Sequence, residues 1–449
     1  MSIIKKIKNY HKSSKNILFT TPSHSLGNFI IPSLKNILGE KYFKSDFSEI
    51  EGFDNLRNPE GIIKNLQNSI ANIYNSNASF VLTNGSTSGI IAAMQAVLKP
   101  NDKVLIARNC HISVYNGLVL TGAEPIWFYP EYDNKWGIFK GVTVKDVQNI
   151  INNHKDIKAL IITSPTYEGN LSNIKELSEI CHKNNIILIV DEAHGALLNF
   201  SYLKDKSAIQ CGADVTIQSL HKTAGAPNPC ALMHISGNIN ISKIQNALNL
   251  INTTSPSYPL IASIEATVNY LKSQKGKHKI TKLFSDIEKF RLNLDKNITV
   301  YSGINDPSKI LLKFANIDSQ KAANILNKKY KIEEEFTNNQ ALLFITGIGT
   351  DTQKLKILSK TLNNIAKIKL NTNVKDDKFT DFVIPKVKYL PRTANFMETK
   401  TINKENSIGL VSGETIVPYP PGIPLIIAGE IITKEILSKI DKQNINVIL

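Results

Sequence analysis

The chain has 449 residues, 42% hydrophobic and 20% charged, which is ordinary for a soluble globular protein and enough for more than one domain. Its net charge is +15, from 53 basic and 38 acidic residues. The lysines are scattered among Asn and Ile rather than clustered, which speaks for a compositional bias of the source and against a nucleic-acid binder. No apolar run approaches a membrane span, and Cys110, Cys181, Cys211 and Cys230 form neither CxxC nor zinc spacing. A reducing cytoplasm is therefore expected, with a plastid or mitochondrial address as the alternative suggested by an acid-poor start.

Residues 1–60 alternate short helical and extended pieces and are expected to form an amino-terminal arm, its basic run 5–15 solvated. An amphipathic helix is expected over 61–74 and a short strand over 80–82. The loop TNGSTSG (83–89) then opens an apolar helix, 90–98. Gly, Ser and Thr at the start of a helix turn N–H groups and hydroxyls toward an anion that the helix dipole also favours, which makes Gly85, Ser86 and Thr87 candidate phosphate ligands. The same residue types serve as plain helix caps. A strand over 103–107 leads to RNCHISV (108–114), and Glu124 begins the next strand. Helix 143–154 precedes a buried strand, 158–163, which ends at SPTYEG (164–169). After helix 173–184, the apolar run 186–190 stops on Asp191, and the β-rich run 214–220 stops on His221-Lys222.

Strands alternating with helices require right-handed crossovers and a mainly parallel sheet. Such sheets place ligands at the carboxyl ends of their strands, where Asp191 and Lys222 are delivered. An acid and a lysine so presented suit pyridoxal phosphate (PLP): the lysine carries it as a Schiff base, and the carboxylate keeps the pyridine nitrogen protonated. The plainer alternative is a surface lysine near a strand-end aspartate. No G-x-G-x-x-G or GxxxxGK[ST] is present to support a nicotinamide or P-loop site. A long helix, 260–274, leaves the large domain. From 285 the pattern is α+β, with strands 309–314 and 341–345 and helices 320–327 and 352–363. A charged linker, 371–379, and a rigid proline-rich run, VPYPPGIP (417–424), follow. The expected division is 1–60, 61–284, 285–370 and 371–449.

DEAHG (191–195) and SLHKT (219–223) resemble the PLP-dependent ornithine/lysine/arginine decarboxylases. So do RNCHISV, SPTYEG, DFSEIEGFDNL (46–56), NTTSPSYP (252–259), and PYPPGIP with the later Gly429-Glu430. The resemblance covers nearly the whole chain. It implies an α/β, fold type I architecture with a mainly parallel seven-stranded sheet flanked by helices, plus a smaller α+β carboxyl-terminal domain. It also implies a homodimer with active sites at the interface.

For single residues, the resemblance implies that Lys222 holds PLP, Asp191 meets the pyridine nitrogen and His111 stacks on the ring. Gly85, Ser86 and Thr87 would bind the phosphate, and Thr166 the phenolic oxygen. His194 would sit near the ring oxygen or the carboxyl region. Ser219 and His221 would complete the cofactor contacts, Ser255 would reach the partner's phosphate, and Glu414 would meet the distal cation of a substrate. The implied activity is α-decarboxylation of a basic amino acid, arginine favoured over lysine and ornithine, in the service of polyamine synthesis.

The pattern departs from the family in four places. AGAPNP (224–229) replaces the usual continuation after SLHKT, Ile112 replaces a lysine and Ser23 a glycine, and KIEEE (331–335) lacks the glycine of the G-I-x-x-E element. The regulator-like amino-terminal domain of larger members is not expected, nor are their decamers. An aminotransferase of the same fold and a catalytically weak PLP-binding regulator are the alternatives.

Overall fold

A computed structural model describes residues 2–13, 16–303, 305–368, 384–417 and 423–449. The expected linker 371–379 and the PYPPG stretch 418–422 lie outside the described residues.

Seven strands form the main sheet: β1 Ala78–Leu82, β2 Lys103–Ala107, β3 Glu124–Phe128, β4 Ile157–Thr163, β5 Ile187–Asp191, β6 Val215–Ser219 and β7 Ala231–Ile235, in the order β1-β7-β6-β5-β4-β2-β3. The pairings β6-β5, β5-β4, β4-β2 and β2-β3 are parallel, and β7 runs antiparallel to both its neighbours. The central strands read ILIVD and IKALIIT because helices cover both faces, so that alternation with polar residues would bury unpaired groups. One core cluster joins Leu82, Ile106, Ile161, Ile189 and Ile217 on one face, and another joins Leu105, Leu160, Ile162, Leu188 and Val190 on the other.

Helices Tyr258–Lys272 and Gln274–Leu292 carry the chain to a second, antiparallel sheet. The second of these helices runs through the expected boundary at 284/285. The new strands are β8 Ile298–Val300, β9 Lys309–Phe314, β10 Phe336–Thr337 and β11 Leu342–Ile345, ordered β8-β9-β11-β10. Ile261, Ile264, Phe284, Ile310, Leu312 and Leu362 share one core, which fuses the two regions. The last segment pairs β12 Thr399–Asn403 with β13 Asn444–Ile448 over its own small apolar cluster.

The expectation of a solvated basic arm is corrected. Residues Ile3–Ser13 form a helix whose Ile3 and Ile7 are buried in the main core while Lys5, Lys8 and Lys12 are exposed. The i, i+4 spacing of the two isoleucines puts them on one stripe. Buried Glu265 accepts from the N–H groups of Ile3 and Ile4 at 3.2 and 3.0 Å, which satisfies donors at the helix start. Among the described residues, no helix is long and apolar enough to cross a membrane.

Candidate active site

A cavity of about 590 Å³ opens at the carboxyl ends of the parallel strands. Gly85, Ser86, Thr87, His111, Thr166, Asp191, His194, His221 and Lys222 all line it. Topology is the reason, since each residue follows a strand: β1 for the Gly-Ser-Thr turn, β2 for His111, β4 for Thr166, β5 for Asp191 and β6 for Lys222.

The Gly-Ser-Thr segment is the first turn of helix Gly85–Val97 rather than a loop before it, so its free N–H groups face the cavity end of that helix. Gly85 adopts φ +75, where a side chain would be strained. Ser219, wholly buried, donates from Oγ to Ser86 Oγ at 2.9 Å and so fixes one hydroxyl of this turn. His111 caps helix Ile112–Thr121, its Nδ1 accepting from the Ser113 N–H at 3.2 Å, which holds the imidazole in place. Asp191 is buried at the tip of β5, with Oδ1 accepting from the Ala193 N–H at 3.1 Å.

Lys222 Nζ lies 2.9 Å from His194 Nε2. Burial, helped by the charge of Lys309, pulls the Lys222 amine below its usual range, and the Asp191 carboxylate opposes this. His194 is pushed well down, first by burial and then by Lys222 and Lys309, so it is a neutral imidazole. Lys309 is itself wholly buried, bound to Asp306 Oδ2 at 2.9 Å, and donates to the His194 carbonyl at 3.3 Å. The helix carrying Lys222 is braced from behind by the smaller sheet. The Ile348 N–H donates to the Thr223 carbonyl at 3.0 Å, and a Cβ on Gly347 would lie 2.5 Å from that oxygen. In the unusual AGAPNP stretch, Asn228 and Pro229 line the cavity, and Pro229 packs against Gly85.

Ser255 and Glu414 are not brought to the cavity of their own chain. Ser255 is exposed in the segment before helix Tyr258–Lys272. Glu414 pairs through Oε2 with Lys442 at 2.7 Å and through Oε1 with the Asn446 N–H at 2.9 Å. The cavity also holds residues the sequence reading passed over: Tyr167, Glu168 and, from the smaller sheet region, Glu335. Only the end of the G-I-x-x-E element had pointed toward Glu335.

The residues fit PLP. Three cavity-lining polar atoms, His194 Nδ1, Asn109 Oδ1 and Thr163 Oγ1, are buried without a partner, as expected where a polar ligand completes the set. An amine, a carboxylate and an N–H-rich helix start also converge on one space large enough for it.

Among comparisons with known proteins, the family profile of the Orn/Lys/Arg decarboxylase major domain matches residues 3–311, and that of the family's carboxyl-terminal domain matches 373–441. The chain is 30% identical to an arginine decarboxylase of Halalkalibacterium halodurans over 97% of this chain and 91% of that one. It is equally similar to an arginine decarboxylase of Bacillus subtilis, over 96% and 91%. The solved lysine decarboxylase of Francisella novicida superposes with a TM-score of 0.84 at 22% identity, covering all of this chain and 81% of that one, and so shares the fold. With the profile spanning most of its length and the fold in agreement, the chain belongs to the Orn/Lys/Arg decarboxylase family.

Proposed function

We propose that this protein is a PLP-dependent decarboxylase that removes the α-carboxylate of a basic amino acid, arginine before lysine or ornithine, and so supplies a precursor for polyamine synthesis. The carrying observation is the lowered amine of Lys222 facing the same cavity as the buried Asp191. Three relatives at 30% identity are arginine decarboxylases, which supports arginine as the substrate. When bound, PLP supplies an electrophilic carbon and a ring that accepts the electrons left by the departing carboxylate.

The chain's own residues do the rest. Lys222, drawn toward its neutral form, is the nucleophile that would hold the cofactor. Asp191 would keep a proton on the pyridine nitrogen. The turn at Gly85, Ser86 and Thr87, with Ser219 behind Ser86, would hold the phosphate at a helix start. His111 would lie against the ring face, and Thr166 would meet the phenolic oxygen. His221 is steadied by donation from Nδ1 to the Cys230 carbonyl at 3.3 Å and would complete the phosphate side. The neutral imidazole of His194 is in reach of the Lys222 Nζ and can take or return a proton there. Ile345, Ile423 and Phe139 shield the cavity from water.

A homodimer in the cytoplasm is part of this reading. Ile17, Phe19, Phe29 and Ile37 are exposed by 69–97%, an apolar surface of the kind that partners cover. Ser255 is exposed where it can reach a second copy. The four cysteines are unpaired.

The test is carbon dioxide release from arginine, lysine and ornithine by the PLP-loaded protein. Arginine is expected to give the highest kcat/KM. Release of a keto acid instead would identify an aminotransferase, and PLP binding without turnover a regulatory relative.

A further inference from the structure

Lys309 opens strand β9 of the smaller sheet, yet its amine lies inside the molecule against the turn that carries His194. An ammonium has three donors, and here each has an acceptor. Asp306 Oδ2 and Ser308 Oγ accept at 2.9 Å and the His194 carbonyl at 3.3 Å. Lys309 and Ser308 are wholly buried, and Asp306 is 2% exposed. A buried ion pair is often no more stabilising than an apolar replacement of the same size, so stability alone does not account for this one.

The chain makes room for the lysine at a second turn of the cavity. Gly169, the last residue of SPTYEG, adopts φ +103, and a Cβ there would lie 2.7 Å from Lys309 Cγ. The Gly169 carbonyl also accepts from the Asp306 N–H at 2.8 Å. The stem of Lys309 thus crosses one active-site turn to reach the other. His194 depends on that support. Apart from Lys222 at Nε2, its imidazole has no hydrogen-bond partner among the described residues, so its backbone must fix where the ring stands. The smaller sheet holds the other member of the contact too. Lys309 pairs in register with Ile345 of β11, and the chain runs on from there to Ile348, whose N–H meets the Thr223 carbonyl.

We infer that Lys309 is a positioning residue for the reaction: its ammonium, fixed by Asp306 and Ser308, holds His194 at its working distance from Lys222 and contributes a positive charge to that pair. The inference rests on the decarboxylase reading and deepens it. Other charged and titratable groups meet here. Arg291 donates to the Lys309 carbonyl at 3.4 Å, and Glu192 and Tyr202 face Asp306. His111 and His221 face His194, while Asp191 and Glu335 face Lys222.

Lys309→Met keeps the length of the side chain and removes the charge and the bond to His194. In PLP-loaded protein, kcat for arginine is expected to fall roughly 10- to 100-fold, as for a misplaced catalytic group, with KM near native. The pH midpoint of the cofactor absorbance should rise by about one pH unit, because a cation that opposes protonation of Lys222 is gone. This variant strands Asp306 and loses stability in urea. Lys309→Met combined with Asp306→Asn removes both charges and is expected to recover that stability while kcat and the absorbance midpoint stay altered. Native kcat and midpoint in the double variant overturn this inference alone, by making the pair a structural support. A double variant that no longer folds overturns it in the same way. Native protein that releases no carbon dioxide from arginine, lysine or ornithine overturns the decarboxylase reading and this one with it.

Discussion

Lys222 Nζ and His194 Nε2 stand 2.9 Å apart in a pocket where burial drives both toward their uncharged forms. A neutral amine beside a neutral imidazole is prepared for nucleophilic attack and for proton exchange, whereas two cations at this distance would repel. Lys222→Ala is expected to abolish turnover and the visible-edge absorbance of PLP-loaded protein. His194→Ala should keep that absorbance while lowering kcat by about 100-fold or more, the usual loss when a proton-transfer group is removed. Single-turnover kinetics with matched spectra distinguish the two variants. Persistence of the band in Lys222→Ala would remove Lys222 from the mechanism.

The buried pair of Arg108 and Glu430 ties the main sheet to the carboxyl-terminal segment. Two parallel bonds of 2.8 and 2.7 Å join side chains that are 2% and 0% exposed, and the guanidinium lies 4.6 Å over Trp127. Breaking such a pair strands a charge away from water, at about 3–5 kcal/mol. Glu430→Gln should lower unfolding stability in urea by that amount. Arg108→Lys should also lose stability, because an ammonium cannot make the two-pronged contact. A loss under about 1 kcal/mol for Glu430→Gln would show that the pair is dispensable.

Acid should loosen the fold through His234. This wholly buried imidazole pairs through Nδ1 with Ser79 Oγ at 2.8 Å, stacks on Tyr74, and is pushed by burial from 6.5 down to about 3. A histidine depressed in the folded state contributes stability above pH 6.5 that is lost as pH falls from there toward 3, because the unfolded chain takes up the proton first. The slope amounts to about 1.4 kcal/mol per pH unit for one proton. His111, His194 and His221 shift the same way, also chiefly through burial. Stability measured between pH 7 and 4 should therefore fall steeply, and His234→Phe should flatten the slope by one proton. An unaltered slope in His234→Phe would contradict this.

Lys331 adopts φ +56, a left-handed conformation, at the end of the turn Leu326–Tyr330. This is the position at which the G-I-x-x-E pattern has glycine. The conformation costs a side-chain-bearing residue roughly 1–2 kcal/mol, partly offset by the greater freedom of glycine when unfolded. Lys331→Gly is expected to stabilise the protein by about 0.5–1 kcal/mol, read as a shift in the denaturation midpoint. Destabilisation would mean that the lysine side chain makes compensating contacts.

Much of the sheet could be read from apolar runs bounded by polar residues: β2 and β9 fall where they were expected, because a strand buried on both faces has an unmistakable composition. The cavity followed from topology, since Asp191 and Lys222 each close such a run. The reversed direction of β7 had to come from space. Its link from β6 spans 220–230, short for a parallel crossover. Glu335 was hidden for a different reason. KIEEE looks like a solvated charge run, and nothing local says that Tyr167 will meet its last residue. The amino-terminal helix reads as a solvated arm because its four lysines outnumber its three isoleucines, although spacing decides which face is buried.

The brace of Gly347 and Ile348 against Thr223 has a consequence for synthesis. A ribosome releases residue 222 well before residue 348, so the emerging chain carries Lys222 on a four-residue helix whose Thr223 carbonyl still lacks its Ile348 partner. A truncated product that ends before residue 347 lacks this brace and is expected to hold Lys222 less firmly than the full chain.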